Sequence, residues 1–434
     1  MFVAVTSLTV WTMPGPYDGI RVIELGRFIA APYCGQLLAD GGADVIKVEP
    51  LNGDDARRNG TRLSATEARQ FLNKNRSKRS IALDLRNPGV QQALQQLAAN
   101  SDIIIANFRP GQGAKLGLDY PTLTRSNPGL IYAENSAFGL SGPLAGKPGM
   151  DALLQGYAAV AHTTREGPQI LGDPIVDYTA AMLMAWGIAS ALFARERTGK
   201  GQKLDVSLLQ AALVIQNNSI NHIDAVDGWR HEFVDWIKDA FARGASFDEV
   251  LSHRDTLKPA IVPPYYGFFR TADGLMALGA GGRGLQIKVA ELLGIEDPSH
   301  TDSSFVPDDI PAHTQAMHAA AQSELLQKTT AQWLEIFDEA DLPASPVNMK
   351  DQVLDDEQAW ANEYLTRLEH ETVGSITVVA PPVKFSATPL AVRWAPPTLG
   401  KHTREILNDA GLSSSEIEQL IEAGAVIDGS AGRD

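Results

Sequence analysis

The stretch GIRVIELGRFIAAPYCGQLLADGGADVIKVEP, residues 19–50, decides how the rest of the chain is read. Residues 21–25 and 44–49 are short β-branched runs bounded by glycines. The rhythm continues with strand candidates at residues 80–85, 102–106 and 130–133, and amphipathic stretches such as 90–99 lie between several of them. Strands alternating with helices imply βαβ units and an α/β fold with a doubly wound, parallel sheet. Ligands of such sheets sit at the carboxyl ends of the strands. Residues 26–32, 50–58 and 107–111 are therefore the candidate binding edge.

Further on, residues 178–197 form a long Ala- and Met-rich helix with a glycine stop at Thr198-Gly199-Lys200-Gly201. A strand at 202–207 follows. Residues 217–259 turn to Trp, His, Asp and Arg with little strand signal and read as a helical linker. A second unit starts near Val262, where YYGFFRTADGLMALGAGG reads as a hairpin. A proline-rich segment crosses 381–397, and a final helix pair, capped at Ser414, runs from 402 to 425.

The chain has 434 residues, 44% of them hydrophobic, and a net charge of −15, which argues against nucleic acid as a partner. A single cysteine, Cys34, excludes a disulfide framework and suits a reducing cytoplasm as a buried apolar residue. The apolar start at residues 1–12 lacks the marks of a signal peptide and reads as an extension ahead of Met13. No run approaches the ~20 apolar residues of a spanning helix, so no membrane is expected. Between Lys47 and Arg86, however, ten Lys or Arg face five Asp or Glu. A basic island on an acidic chain suggests a focused anion site, unless it is simply a solvated face.

Gly279, Gly281 and Gly284 match the G-x-G-x-x-G of a dinucleotide-binding turn. That motif should open a βαβ unit, with an acidic residue about 20 positions on. Here it follows a hairpin, and no strand comes next, so it reads as a glycine-rich turn. The nine histidines are scattered without metal-ligand spacing, and no metal site is expected. No G-x-S-x-G elbow or Walker sequence occurs. Two carboxylates remain. Asp151, in KPGMDALLQG, can cap the helix starting at Ala152. Asp177, in GDPIVDYTAAMLM, sits where the long helix begins, and free N–H groups there favour its charge. Either can be a plain cap; an aspartate so placed can also act as a nucleophile.

Four blocks carry a resemblance: residues 19–50, NKNRSKRSIALDLRNPG, IIIANFRPG with AKLGLDY, and ARERTGKGQKLDVSLLQAA. RTADGLMALGA, PASPVNMKDQVLDD and LGKHTREILNDAGLS agree in order. The chain resembles the family III CoA-transferases (CaiB/BaiF), which include formyl-CoA transferase and the alpha-methylacyl-CoA racemases, from about residue 15 to 427. The resemblance implies a Rossmann-like CoA-binding domain (14–215 with 388–434), a helical linker (216–261), a small α+β domain (262–365) and a return linker (366–387). It also implies an interlocked homodimer.

The family's catalytic carboxylate lies ten residues before the glycine of its G-I-x-x-A-L signature. Counted back from Gly187, that is Asp177. The racemases carry G-H-D where this chain has Gly149-Met150-Asp151. A thioether cannot shuttle a proton, so the departure favours transfer, with Met150 and Asp151 as neighbours of the site. By motif position, Lys78 and Lys115, with Arg58 and Arg79, are expected at the CoA phosphates. Asn107 and Phe108 are expected at the adenine or pantetheine, and Phe28, Ile29, Ala30 and Ala31 along the thioester channel. The family's mobile glycine run precedes the hairpin strand; here that place reads KPAIVPPYYG, and GAGGRG follows the strand instead. The implied activity moves CoA from an acyl-CoA to a carboxylic acid, with CoA as substrate and no cofactor. A 2-methylacyl-CoA racemase and a non-catalytic acyl-CoA-binding protein are the alternatives.

Overall fold

The computed structural model describes residues 14–109, 111–302 and 304–430; the apolar start at 1–12 lies outside them. The chain forms two compact units. Of the described residues, one unit holds 14–163, 168–221 and 360–430; the other holds 164–167 and 222–359.

In the larger unit, strands β1 (Arg21–Leu25), β2 (Asp44–Glu49), β3 (Arg79–Leu83), β4 (Ile103–Ala106), β5 (Ile131–Ser136), β6 (Lys203–Ser207) and β7 (Val426–Ile427) share one sheet. Its order is β7-β3-β2-β1-β4-β5-β6. β1 to β6 are parallel, and β7 pairs antiparallel with β3. The order reverses between β1 and β4, a switch point at which such sheets open a crevice. Both faces are covered at the centre of the sheet, and the central β4, IIIA, reads as an unbroken apolar run. Val22, Ile103, Ile105, Ile131 and Ala133 pack into the cluster on one face, and Ile23, Ile46, Ile81, Ile104 and Tyr132 into the cluster on the other.

The long helix, Ile175–Thr198, covers the first face through Ala180, Ala181, Met184, Ile188 and Ala191. Its last turn is tied to the amino edge of the sheet, where Arg195 donates to the Gly129 carbonyl at 3.2 Å and pairs with Asp102 at 2.9 Å. The helix start therefore lies at the carboxyl edge. Gly199, at φ +67, supplies the left-handed stop. This helix is long and apolar enough to cross a membrane by length and composition, contrary to the sequence reading, which found no such run.

β5 runs three residues past its expected end at 133. Glu134, Asn135 and Ser136 break the apolar pattern, yet the ladder to β6 continues through Asn135–Val206 and Ser136–Ser207. Residues 365–379, mostly within the expected return linker, form a hairpin of Leu365–His370 and Gly374–Val379. The last helix is capped by Ser413, not Ser414: Ser413 and Glu416 form a reciprocal capping box.

The smaller unit has its own core of Tyr265, Phe269, Met276, Trp333 and Phe337. Its sheet pairs Leu275–Gly279 antiparallel with both Tyr266–Arg270 and Ala344–Pro346. No βαβ crossover starts at the GAGGRG turn, so its glycines are not a dinucleotide fingerprint. Residues 217–259 are helical, chiefly Trp229–Ala242 and Phe247–Leu257, and Trp236 stacks on His253 at 3.9 Å.

Candidate active site

A cleft of about 420 Å³ opens in the larger unit at the carboxyl ends of β1, β4 and β5. Its floor is the turn after β1. Gly26 is required there, since a Cβ on it would stand 2.2 Å from Cβ of Ala31. Phe28 follows at φ +66, a conformation that costs a non-glycine residue on the order of 1 kcal/mol. Two side chains hold it: Asp54 accepts the Phe28 N–H at 3.3 Å, and the Asn107 amide both accepts from Arg27 N at 3.1 Å and donates to Arg27 O at 3.0 Å. Phe28, Ile29, Ala30, Asn107 and Phe108 line the cleft, whereas Ala31 is buried behind it.

Asp177 and Met150 line the same cleft. Met150 is 53% exposed, and Asp177 only 9%. Asp151 does not cap its own helix, Asp151–Tyr157. Its Oδ1 accepts from Val176 N at 2.9 Å and Asp177 N at 3.0 Å, and its Oδ2 from Gln155 at 2.6 Å. It thus caps the long helix from outside and takes the N–H groups expected to favour the charge of Asp177. Burial first, and the Asp151 carboxylate second, push the Asp177 pKa up to about 7; the Lys74 ammonium pulls the other way. Lys74 is itself buried, bonded among the described residues to two oxygens of Gln70 at 3.3 Å, and burial brings its pKa down to about 8. Asp177 is therefore a carboxylate with unusually high proton affinity at a cleft wall.

The basic island departs most from expectation, because its cations face inward. The Lys78 ammonium is fully buried, bonded to Pro32 O, Lys74 O and Asn75 Oδ1 and paired with Glu24 at 2.7 Å. No donor is left for a phosphate. Arg79 starts β3 and so sits at the amino edge, opposite the cleft, paired with Asp44, Glu405 and Asp409. Arg58 is paired with Asp55 at 3.0 Å and does not line the cleft; Lys115 is exposed on the helix Gln112–Leu116, also outside the lining. Lys47 and Arg57 are buried against Glu24, Asp54, Glu49 and Glu67.

The cations that do line the cleft are Arg27, paired with Asp55, and Arg109 and Lys147, which have no ion pair among the described residues. Arg27 and Arg109 fall in the segments expected at the binding edge; sequence reading passed over Lys147 and Asn135. Two residues after Lys147 the chain passes close to Ala137 at Gly149, where a Cβ would come within 2.5 Å of it. The missing signal for Asn135 was the length of β5. Among the described residues no group of three or more His, Cys, Asp or Glu is arranged to hold a metal.

The family model for CoA-transferase family III matches residues 17–403. The chain belongs to that family. It is 31% identical over 431 residues to an acyl-CoA transferase of Fusarium pseudograminearum, covering 95% of this chain and 88% of that protein. It is also 31% identical to the human succinyl-CoA:glutarate CoA-transferase, over 95% of this chain and 90% of the relative. Among solved structures, a CaiB/BaiF family protein from Brucella suis superposes with a TM-score of 0.70 at 30% identity, covering 92% and 100% of the two chains. This family III chain is an enzyme whose relatives are CoA-transferases.

Proposed function

We propose that the enzyme moves CoA from an acyl-CoA donor to a carboxylic acid, with Asp177 as the covalent nucleophile. The observation that carries this reading is the placement of Asp177: buried, undersolvated and beside Asp151, yet at the wall of the switch-point cleft. Such a carboxylate is poorly stabilised as an anion. Acylation removes its charge, so the unfavourable contact with Asp151 is relieved as the anhydride forms. The CoA thiolate released in that step then attacks the anhydride at the Asp177 carbonyl, leaving an aspartyl-CoA thioester and freeing the first acid. The acceptor acid reverses the two steps and restores Asp177. Thioester energy is conserved in each exchange, so the sequence calls for no metal or redox cofactor. Met150, half-exposed nearby, carries no exchangeable proton, which supports transfer over racemisation. Arg109 and Lys147 are the cations left free for the CoA phosphates or a substrate carboxylate. Lys78 and Arg79 are not in that role. The same reading includes a cytoplasmic homodimer with interlocked chains; a monomeric mass in solution scattering would overturn that part.

The decisive experiment is mass spectrometry of the enzyme after incubation with a panel of acyl-CoAs, succinyl-CoA among them, and hydroxylamine. The expected result is a modified Asp177 in the wild type, and in Asp177→Asn no adduct, no turnover and CoA affinity within about twofold of wild type. Turnover retained by Asp177→Asn overturns the proposal.

A further inference from the structure

The carboxyl end of β5 carries an amide that the protein itself does not use. Ile131 and Ala133 pack under the long helix and Tyr132 on the opposite face. Strand alternation therefore turns Asn135 to the helix-covered face, at the edge where Asp177 begins that helix. Asn135 is 6% exposed and lines the cleft. Its Oδ1 is buried without a hydrogen-bond partner, and its Nδ2 has none among the described residues.

Asn107 is the control. It lies one residue beyond the Ala106–Glu134 rung on β4, as Asn135 does on β5. Its amide is engaged by the Arg27 backbone on both its donor and its acceptor side. Leaving a buried amide unmet costs about 1–3 kcal/mol, and folded proteins leave few such groups. The orphaned Oδ1 calls for a donor, which a thioester does not offer; the Nδ2–H groups, free of any hydrogen bond among the described residues, are what this cleft-lining side chain presents to a ligand acceptor. The acyl group of a thioester offers only acceptors, and its carbonyl oxygen is the atom on which charge develops when Asp177 attacks.

We propose that the Asn135 side-chain N–H donates to the acyl carbonyl oxygen of the acyl-CoA and stabilises the oxyanion. The inference rests on the reading of Asp177 as nucleophile. An Asp177 carboxylate oxygen bonds to the thioester carbon, and the carbonyl π pair moves onto the oxygen held by Asn135. The pair then returns, the C–S bond breaks, and the CoA thiolate leaves with its electrons, giving the mixed anhydride. No proton is transferred, and a neutral amide suffices. Asn135 is thus a catalytic residue, distinct from Asn107, which positions the β1 turn.

The test is rapid-quench acylation of the wild type, Asn135→Leu and Asn135→Ser with succinyl-CoA, or with whichever panel thioester loads the wild type fastest, read by intact mass. Removing one oxyanion donor lowers such a step by roughly 100- to 1000-fold. The expected result is a loss of that size in Asn135→Leu, partial recovery in Asn135→Ser through its hydroxyl, CoA affinity within about twofold and, in Asn135→Leu, a melting temperature no lower than that of the wild type. Acylation of Asn135→Leu within about threefold of wild type overturns the inference. So does a loss confined to thioester affinity, which marks the amide as a pantetheine contact. Either result with a normal wild-type adduct leaves the Asp177 reading standing, whereas a wild type that no thioester acylates sinks both.

Discussion

Two groups of charges lie close together in this molecule and behave in opposite ways. Behind the turn after β1, Lys47, Arg57, Lys78 and Arg76 are buried against Glu24, Glu49, Asp54, Glu67 and Asp40. In the cleft ahead of that turn, Arg109 and Lys147 are exposed and have no ion pair among the described residues, and Asp177 is buried with no bonded cation among them. The first group is a scaffold: Lys47 donates to Gly26 O at 2.6 Å and Asp54 accepts the Phe28 N–H of the strained turn, so the buried ions hold the cleft floor in shape. The second group is left for ligands. Lysine content alone does not separate them; what does is whether each cation meets a carboxylate before it meets water.

The largest effect should come from breaking the scaffold. Arg57 bonds Glu49 through two nitrogens at 2.7 and 2.8 Å, Glu67 at 2.9 Å and Pro397 O at 2.9 Å, and lies over the Phe71 ring. Arg57→Met strands two buried carboxylates, and a loss of about 3–5 kcal/mol is expected in denaturant unfolding. A variant as stable as wild type would show that the network is not needed for the fold.

Asp177 should show the reverse. An ordinary aspartate ionises near 4, so a folded pKa of about 7 means that ionisation destabilises the fold progressively as pH rises from about 4 to about 7, with no further loss above. Asp177→Asn should therefore be more stable than wild type at pH 8, by on the order of 2–4 kcal/mol, and equal to it at pH 3. An unchanged difference between the two pH values contradicts the raised pKa.

On the proposed reading of Asp177 as nucleophile, activity follows the same ionisation with the opposite sign, because the attacking group is the carboxylate. Below about pH 7, kcat/KM should fall by about tenfold per pH unit. Asp151→Asn keeps an acceptor for the Val176 and Asp177 N–H groups while removing the like charge, and it should move that limb to lower pH. A limb that stays in place assigns the shift to burial alone.

The smallest effect separates the two sets of lysines. Lys147→Met should raise KM for the acyl-CoA by roughly two- to fivefold, less at high salt, with stability unchanged. Lys78→Met should lower the melting temperature with KM unchanged. The reverse pattern would restore Lys78 as a ligand contact.

The sheet was legible in sequence because its short strands carry apolar, β-branched residues at βαβ spacing, with the central β4 apolar throughout. Asp177 was legible through its place at a helix start and, by resemblance, through its distance from Gly187. The partners of the charges were not. Glu24 lies 23 residues from Lys47 and 54 from Lys78, and their ion pairs exist only because β1, β2 and β3 are neighbours in the sheet. Asn135 was hidden for a related reason: its strand is polar at its end and is held in the sheet by the ladder to β6, not by its own pattern.

What the sequence by itself determined is the periodicity: parallel strands, a long helix with a carboxylate near its start, and an excess of Lys and Arg on one segment. Only the tertiary structure decided which way those charges face, that Asp151 takes the helix N–H groups beside Asp177, and that one asparagine is used while its neighbour is free. Periodicity is carried by neighbouring residues and survives in a string. Ion pairing and desolvation depend on which distant atoms arrive within about 3 Å, and folding alone sets that.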